Sequence, residues 1–198
     1  MTTIDLGPAA QQLATLVRNV PDDMLDAPTP CPEYRVGDLL DHIGGLAKAF
    51  TWAATKESLT MAPVSPSGDA SHLAPDWRER IPTDVVALAD AWRDPAAWTG
   101  MTKAGPVDLP GEIGGLVALD EIVVHGWDVA KATSQPFAVD PATLQAVHDL
   151  VVQFSGPGTE EQRAGGFGPE IAVPSDAPLL DRVLGMVGRR ADWAPPTA

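Results

Sequence analysis

The chain of 198 residues contains one cysteine, Cys31, so no internal disulfide can brace it. A reducing compartment is the simplest setting for such a chain, and the cytoplasm is the expected location. Basic residues are few: 13 Lys and Arg stand against 27 Asp and Glu, a formal net charge of -14. Nucleic acid needs Lys and Arg to neutralise its phosphates, so no nucleic-acid binding is expected, and no docking on an anionic membrane surface. Nowhere is there a run of roughly 20 apolar residues, which excludes a membrane-spanning helix. The start, MTTIDLGPAA, carries neither basic residues nor an apolar stretch, so no targeting signal is read there.

What is present is ordinary globular material. Hydrophobic residues make up 44% and charged residues 20%, too apolar for a disordered chain. The length suits one domain over residues 1–198. Twenty Pro and eighteen Gly cut the chain into helical pieces. Apolar periodicity near 3.6 predicts helices over residues 5–19 with Asp5 as N-cap, 36–56, 82–93 with Pro82 in the first turn and an extension back to Asp76 left open, 112–133, 141–154 with Asp140 as N-cap and Pro141 behind it, and 177–188. Residues 57–75, holding Pro63, Pro66, Gly68 and Pro75, read as a long loop. A weak strand signal lies around Trp98–Thr102, the Gly- and Pro-rich residues 155–175 read as loop, and the tail ADWAPPTA reads as frayed. The expected fold class is all-α with minor β: a bundle of four main helices with further short ones.

The helix at 112–133 is apolar almost all round, as buried helices are, yet it carries Glu121 and His125. Their i, i+4 spacing puts both on one face, one turn apart. His42, in DLLDHIGG, follows Leu39 by three residues and precedes Ile43, on the core side of its own helix. A His–Glu–His set on two facing helices is one way to build a metal site inside a bundle. Three protein ligands leave a position for water or substrate, the pattern of a catalytic zinc site more than a structural one. Glu-x-x-x-His alone is common in helices by chance, and a core histidine bonded to a backbone carbonyl explains His42 equally well. Of the other histidines, His72 reads as a solvated loop residue and His148 as a surface residue beside Asp149.

The segments TPCPEYRVGDLLDHIGG, DEIVVHGWDVAKATSQPF and FGPEIAVPSDAPLLDRVLGMVGRR resemble an actinobacterial family within the DinB-like superfamily. The chain is similar, from roughly residue 5 to 190, to the metal-binding N-terminal domain of mycothiol-dependent maleylpyruvate isomerase. That resemblance implies a DinB-like four-helix bundle in up-down-down-up order. It also implies a divalent ion, usually zinc, held at the positions of His42, Glu121 and His125. In thiol-using members the ion favours the thiolate of a small thiol such as mycothiol, which attacks an electrophilic substrate. The isomerase has a second, C-terminal domain contributing to its active site, and a chain ending at Ala198 is too short to hold it. The resemblance therefore does not imply maleylpyruvate isomerase activity in particular.

Several residues stay open between roles. Cys31 is either a reactive thiol beside the metal or a small packing residue. Asp128, three residues after His125, either accepts a hydrogen bond from a ligand imidazole or pairs with Lys131 on the surface. Trp127 reads as core, and Trp52, Trp77, Trp92 and Trp98 as core or rim. Lys48, Lys56, Arg78, Arg80 and Arg93 surround loops that could frame the site; an acidic group on a thiol or substrate needs some such cation, and the sequence does not choose among them. GEIGG at 111–115 lacks the strand–turn–helix context of a phosphate loop. The leading expectation is a metal-dependent thiol transferase or isomerase. A non-catalytic metal- or small-molecule-binding protein is the alternative and a bundle with a vestigial site a third; a homodimer is left open.

Overall fold

The computed structural model describes residues 3–61, 67–163 and 166–195. Pro63, Pro66 and the last three tail residues lie outside that range. Among the described residues the chain is mostly helical with one small hairpin, all-α with minor β: α1 (Gly7–Arg18), α2 (Val36–Thr55), α3 (Trp77–Ala91), β1 (Met101–Ala104), β2 (Val107–Pro110), α4 (Gly111–Ala132), α5 (Pro141–Val151), α6 (Glu160–Arg163) and α7 (Leu179–Met186).

The helix ends follow local chemistry. Asp5 Oδ1 accepts the Gly7 N–H at 2.9 Å ahead of α1. At the start of α2, Asp38 reaches back to the Arg35 N–H at 3.1 Å, a side chain of the first turn satisfying a donor that the helix cannot. Asp140 accepts from the N–H groups of Ala142 and Thr143 at 3.0 Å each, with Pro141 at the first helical position of α5. Helix α7 stops in a Schellman turn: Gly188, at φ +81°, lets the Arg189 N–H reach the Leu184 carbonyl at 2.7 Å and its own N–H reach Gly185 at 3.1 Å.

Three expectations need correction. Helix α3 begins at Trp77, so Pro82 sits inside the helix; lacking an N–H, it leaves the Arg78 carbonyl without its usual helical donor. Strand β1 starts at Met101 and pairs antiparallel with β2, Thr102 opposite Leu109, whereas Trp98 lies in a 3-10 turn before it. The loop at 155–175 contains the short helix α6.

Helices α1 and α2 each pack against both α3 and α4, α5 bridges α4 and α7, and the hairpin lies against α2 and α4. Leu13 and Val17 of α1, Leu39 and Ile43 of α2, Ile81 and Val85 of α3 and Leu119 and Val123 of α4 belong to one buried apolar cluster. GEIGG serves packing: a Cβ on Gly115 would stand 2.6 Å from the Trp98 ring and 3.0 Å from Trp92. Both indoles are buried and hydrogen-bonded, Trp92 Nε1 to the Phe50 carbonyl at 3.1 Å and Trp98 Nε1 to the Trp92 carbonyl at 2.6 Å, as buried tryptophans require.

Candidate metal centre

Because α2 and α4 are packed together, His42 on the first meets Glu121 and His125 on the second. One ligand atom from each of the three lies within 4.8 Å of the others. Glu121 Oε2 is 3.0 Å from His125 Nε2. The His42 ring stands edge-on to His125 with centroids 5.0 Å apart, and the Tyr34 ring lies 4.9 Å from His42.

Behind His125 is a second layer. Its Nδ1 is 3.1 Å from Asp128 Oδ2, and Asp128 is wholly buried. Arg189 Nε donates to Asp128 Oδ1 at 3.2 Å and Nη2 donates to Oδ2 at 3.1 Å, while Nη1 donates to the Val187 carbonyl at 3.3 Å. A carboxylate so held by a guanidinium is an acceptor, so Nδ1 of His125 donates to Asp128, and the second, titrating proton sits on Nε2 and faces Glu121. The surface alternative for Asp128 therefore falls; Lys131 instead lies over the Trp127 ring at 5.8 Å.

The electrostatics follow from this layering. Burial alone would lower the His125 pKa, but the hydrogen bonds it donates to Asp128 and Glu121 outweigh it and raise the pKa to about 9. Burial pushes the Glu121 carboxyl up, and the His125 hydrogen bond and nearby positive charge more than offset it, leaving a lowered pKa. The neighbouring Asp120 is buried with no compensating cation strong enough, and its pKa rises to about 8; its Oδ1 has no hydrogen-bond partner among the described residues.

The donor set suits a borderline divalent cation. Zinc takes imidazole nitrogens and carboxylate oxygens at about 2.0–2.2 Å, commonly from three protein ligands, so atoms already gathered within 4.8 Å need only small side-chain shifts to share one ion. The hydrogen bond from Nδ1 to a carboxylate is the arrangement that orients and strengthens a ligating histidine. The three side chains open onto a cleft of about 460 Å³ that Cys31, Tyr34, Phe167 and Arg189 also line.

The structure treats the other expected residues differently. None of Lys48, Lys56, Arg78, Arg80 and Arg93 lines this cleft. Lys56 donates to the Ala97 carbonyl at 2.7 Å, Arg78 pairs with Asp22 at 2.6 Å, Arg80 with Asp76 at 3.6 Å and Arg93 with Asp90 at 2.7 Å. Among the described residues the cation that lines the cleft is Arg189, which no sequence motif singles out. Cys31 is buried, and burial raises its thiol pKa although Arg189 pulls the other way. His72 is solvated as expected, with its side chain 70% exposed. His148 is not a surface residue: its side chain is only 14% exposed, and its Nε2 lies 3.0 Å from Arg182 of α7.

Comparison with known proteins bears on the same segment. The model of the mycothiol maleylpyruvate isomerase N-terminal domain matches residues 6–130, which include His42, Glu121, His125 and Asp128 but not Arg189. Two uncharacterized proteins of Mycobacterium tuberculosis, from strains CDC 1551 and H37Rv, are each 31% identical over 189 residues, covering 91% of this chain and 93% of the relative. No solved structure matches the chain. With more than half of its length matched by the family model, the chain belongs to the mycothiol maleylpyruvate isomerase N-terminal domain family.

Proposed function

We propose that the protein is a single DinB-like metal-binding domain that holds one divalent ion, zinc by preference, through His42, Glu121 and His125. It would use that centre to present a small thiol of the mycothiol type to an electrophilic substrate, as a transferase or isomerase. The observation that carries this reading is the convergence of the three ligand atoms within 4.8 Å at a cleft of about 460 Å³. The match to a mycothiol maleylpyruvate isomerase domain supports the choice of a thiol.

A zinc-type ion bound there supplies Lewis acidity, which lowers the pKa of a thiol or water that shares it. The chain's own residues do the rest. Asp128 keeps the proton of His125 on Nδ1, so that Nε2 presents its lone pair toward the centre. Glu121, held ionised, supplies the negative charge of the donor set. Tyr34, Phe167 and Arg189 form the cleft wall, giving an incoming molecule aromatic surface and one cation edge.

Cobalt substitution tests the reading. Mycothiol or an analogue added to the cobalt form of the Cys31→Ser variant should produce a sulfur-to-cobalt charge-transfer band, and thiol affinity should fall when the ion is removed. Absence of the band, with thiol affinity indifferent to metal, would leave a binding protein without thiol chemistry.

A further inference from the structure

Arg189, in the segment after α7, lies 59 residues beyond the end of the family match at residue 130, yet its side chain enters the layer behind the candidate ligands. We propose that Arg189 is a positioning residue of the metal centre, acting through Asp128 on His125; this rests on the metal reading of the His42, Glu121 and His125 set.

The argument is geometric. Asp128 is 0% exposed and makes two kinds of contact: the imidazole Nδ1 on one side, and the Arg189 fork on the other. An ionised carboxylate in that position needs a cation, because an uncompensated buried charge is strongly unfavourable. Deprived of Arg189, Asp128 would lose the hydrogen bonds that fix both of its oxygens and would be free to rotate away from the imidazole. The Nδ1 hydrogen bond then weakens, and with it the rotamer and tautomer that aim Nε2 at Glu121. Arg189 is itself fixed from behind, with Nη1 on the Val187 carbonyl at 3.3 Å and its backbone N–H in the Schellman turn. That turn is made by backbone groups and by Gly188 at φ +81°, so it survives replacement of the Arg189 side chain. A planar fork on Nε and Nη2 is what Arg provides and Lys does not.

The test uses the full chain and cobalt(II), read by its visible absorption, with zinc affinity from competition. Arg189→Met should bind cobalt roughly 10- to 100-fold more weakly than wild type, the range found for groups that orient metal ligands, and its visible bands should shift. Arg189→Lys should fall between the two. In an Asp128→Asn background, Arg189→Met should change affinity little further, because the relay is already cut. A structural role alone would lower the melting temperature in both backgrounds without moving the cobalt bands. If Arg189→Met proves unable to fold, Arg189→Lys decides by the same readouts. Wild-type affinity and spectrum in the folded variants would overturn the inference while leaving the metal centre intact. A wild-type protein that takes up neither cobalt nor zinc would instead overturn the metal centre itself.

Discussion

The raised pKa of His125 makes the metal-free and metal-loaded proteins respond to pH in opposite ways. In the metal-free chain Asp128 and Glu121 hold the His125 proton to about 9, against an ordinary value of 6.5. The folded state therefore binds that proton more tightly than the unfolded state, and the stabilisation is complete below pH 6.5 and lost as pH climbs through about 9. At about 1.4 kcal/mol per pH unit this is roughly 3 kcal/mol, or about 6–12 °C of melting temperature for a chain of this size. A metal ion on Nε2 takes the proton's place, so binding must expel it, and apparent affinity should fall about tenfold for each unit of pH below 9. Melting curves of apo- and zinc-loaded protein from pH 6 to 9 would show the apo midpoint falling and the increment due to zinc growing. Calorimetry in buffers of different ionisation enthalpy would count the proton released. An apo midpoint that stays flat or rises, together with zinc binding that releases no proton near neutral pH, would refute the reasoning.

Further outcomes follow from the same contacts. Gly115→Ala places a Cβ 2.6 Å from Trp98, and the overpacking, about 1–3 kcal/mol, should exceed the gain of about 1 kcal/mol in helix propensity, so thermal melting should register a net loss. Asp140→Ala should cost about 1 kcal/mol by removing the α5 cap. The lowered Asp140 pKa, caused first by the Thr143 hydroxyl, makes that loss present above the unfolded value of 3.8 and lets it fade in acid, as denaturant melts at two pH values would show. Cys31 is buried with a raised pKa, so native protein should react with a thiol reagent far more slowly than unfolded protein; equal rates would refute its packing role.

Much of the helical scaffold was legible because proline, glycine and acidic caps mark it: α2 and α4 end within a residue of the expected limits, and α5 starts where Asp140 and Pro141 place it. What escaped was set by tertiary structure. The sequence left α3 open between a start at Pro82 and one near Asp76, and the buried Trp77 and Ile81 decide for the earlier. The weak strand signal around Trp98–Thr102 overlaps β1, but β2 is too short for alternation to reveal it. The meeting of His42 with the Glu121–His125 pair could be expected from faces and spacing, since i, i+4 geometry is local and Leu39 and Ile43 mark the core side of α2. Arg189 could not, because nothing local ties residue 189 to residue 128, and basic residues near loops were the natural place to look. The even choice between the two roles of Asp128 turned on burial, which a helix apolar all round leaves ambiguous at any one position.

Metal stoichiometry measures whether His42 on α2 joins Glu121 and His125 on α4 around one ion. Protein purified without chelator should carry close to one zinc-type ion per chain by mass spectrometry. His42→Ala, which leaves the α4 pair untouched, should lose most of it while keeping its helical circular dichroism. Equal metal content in wild type and a folded His42→Ala variant, or none in either after zinc is supplied, would contradict the account.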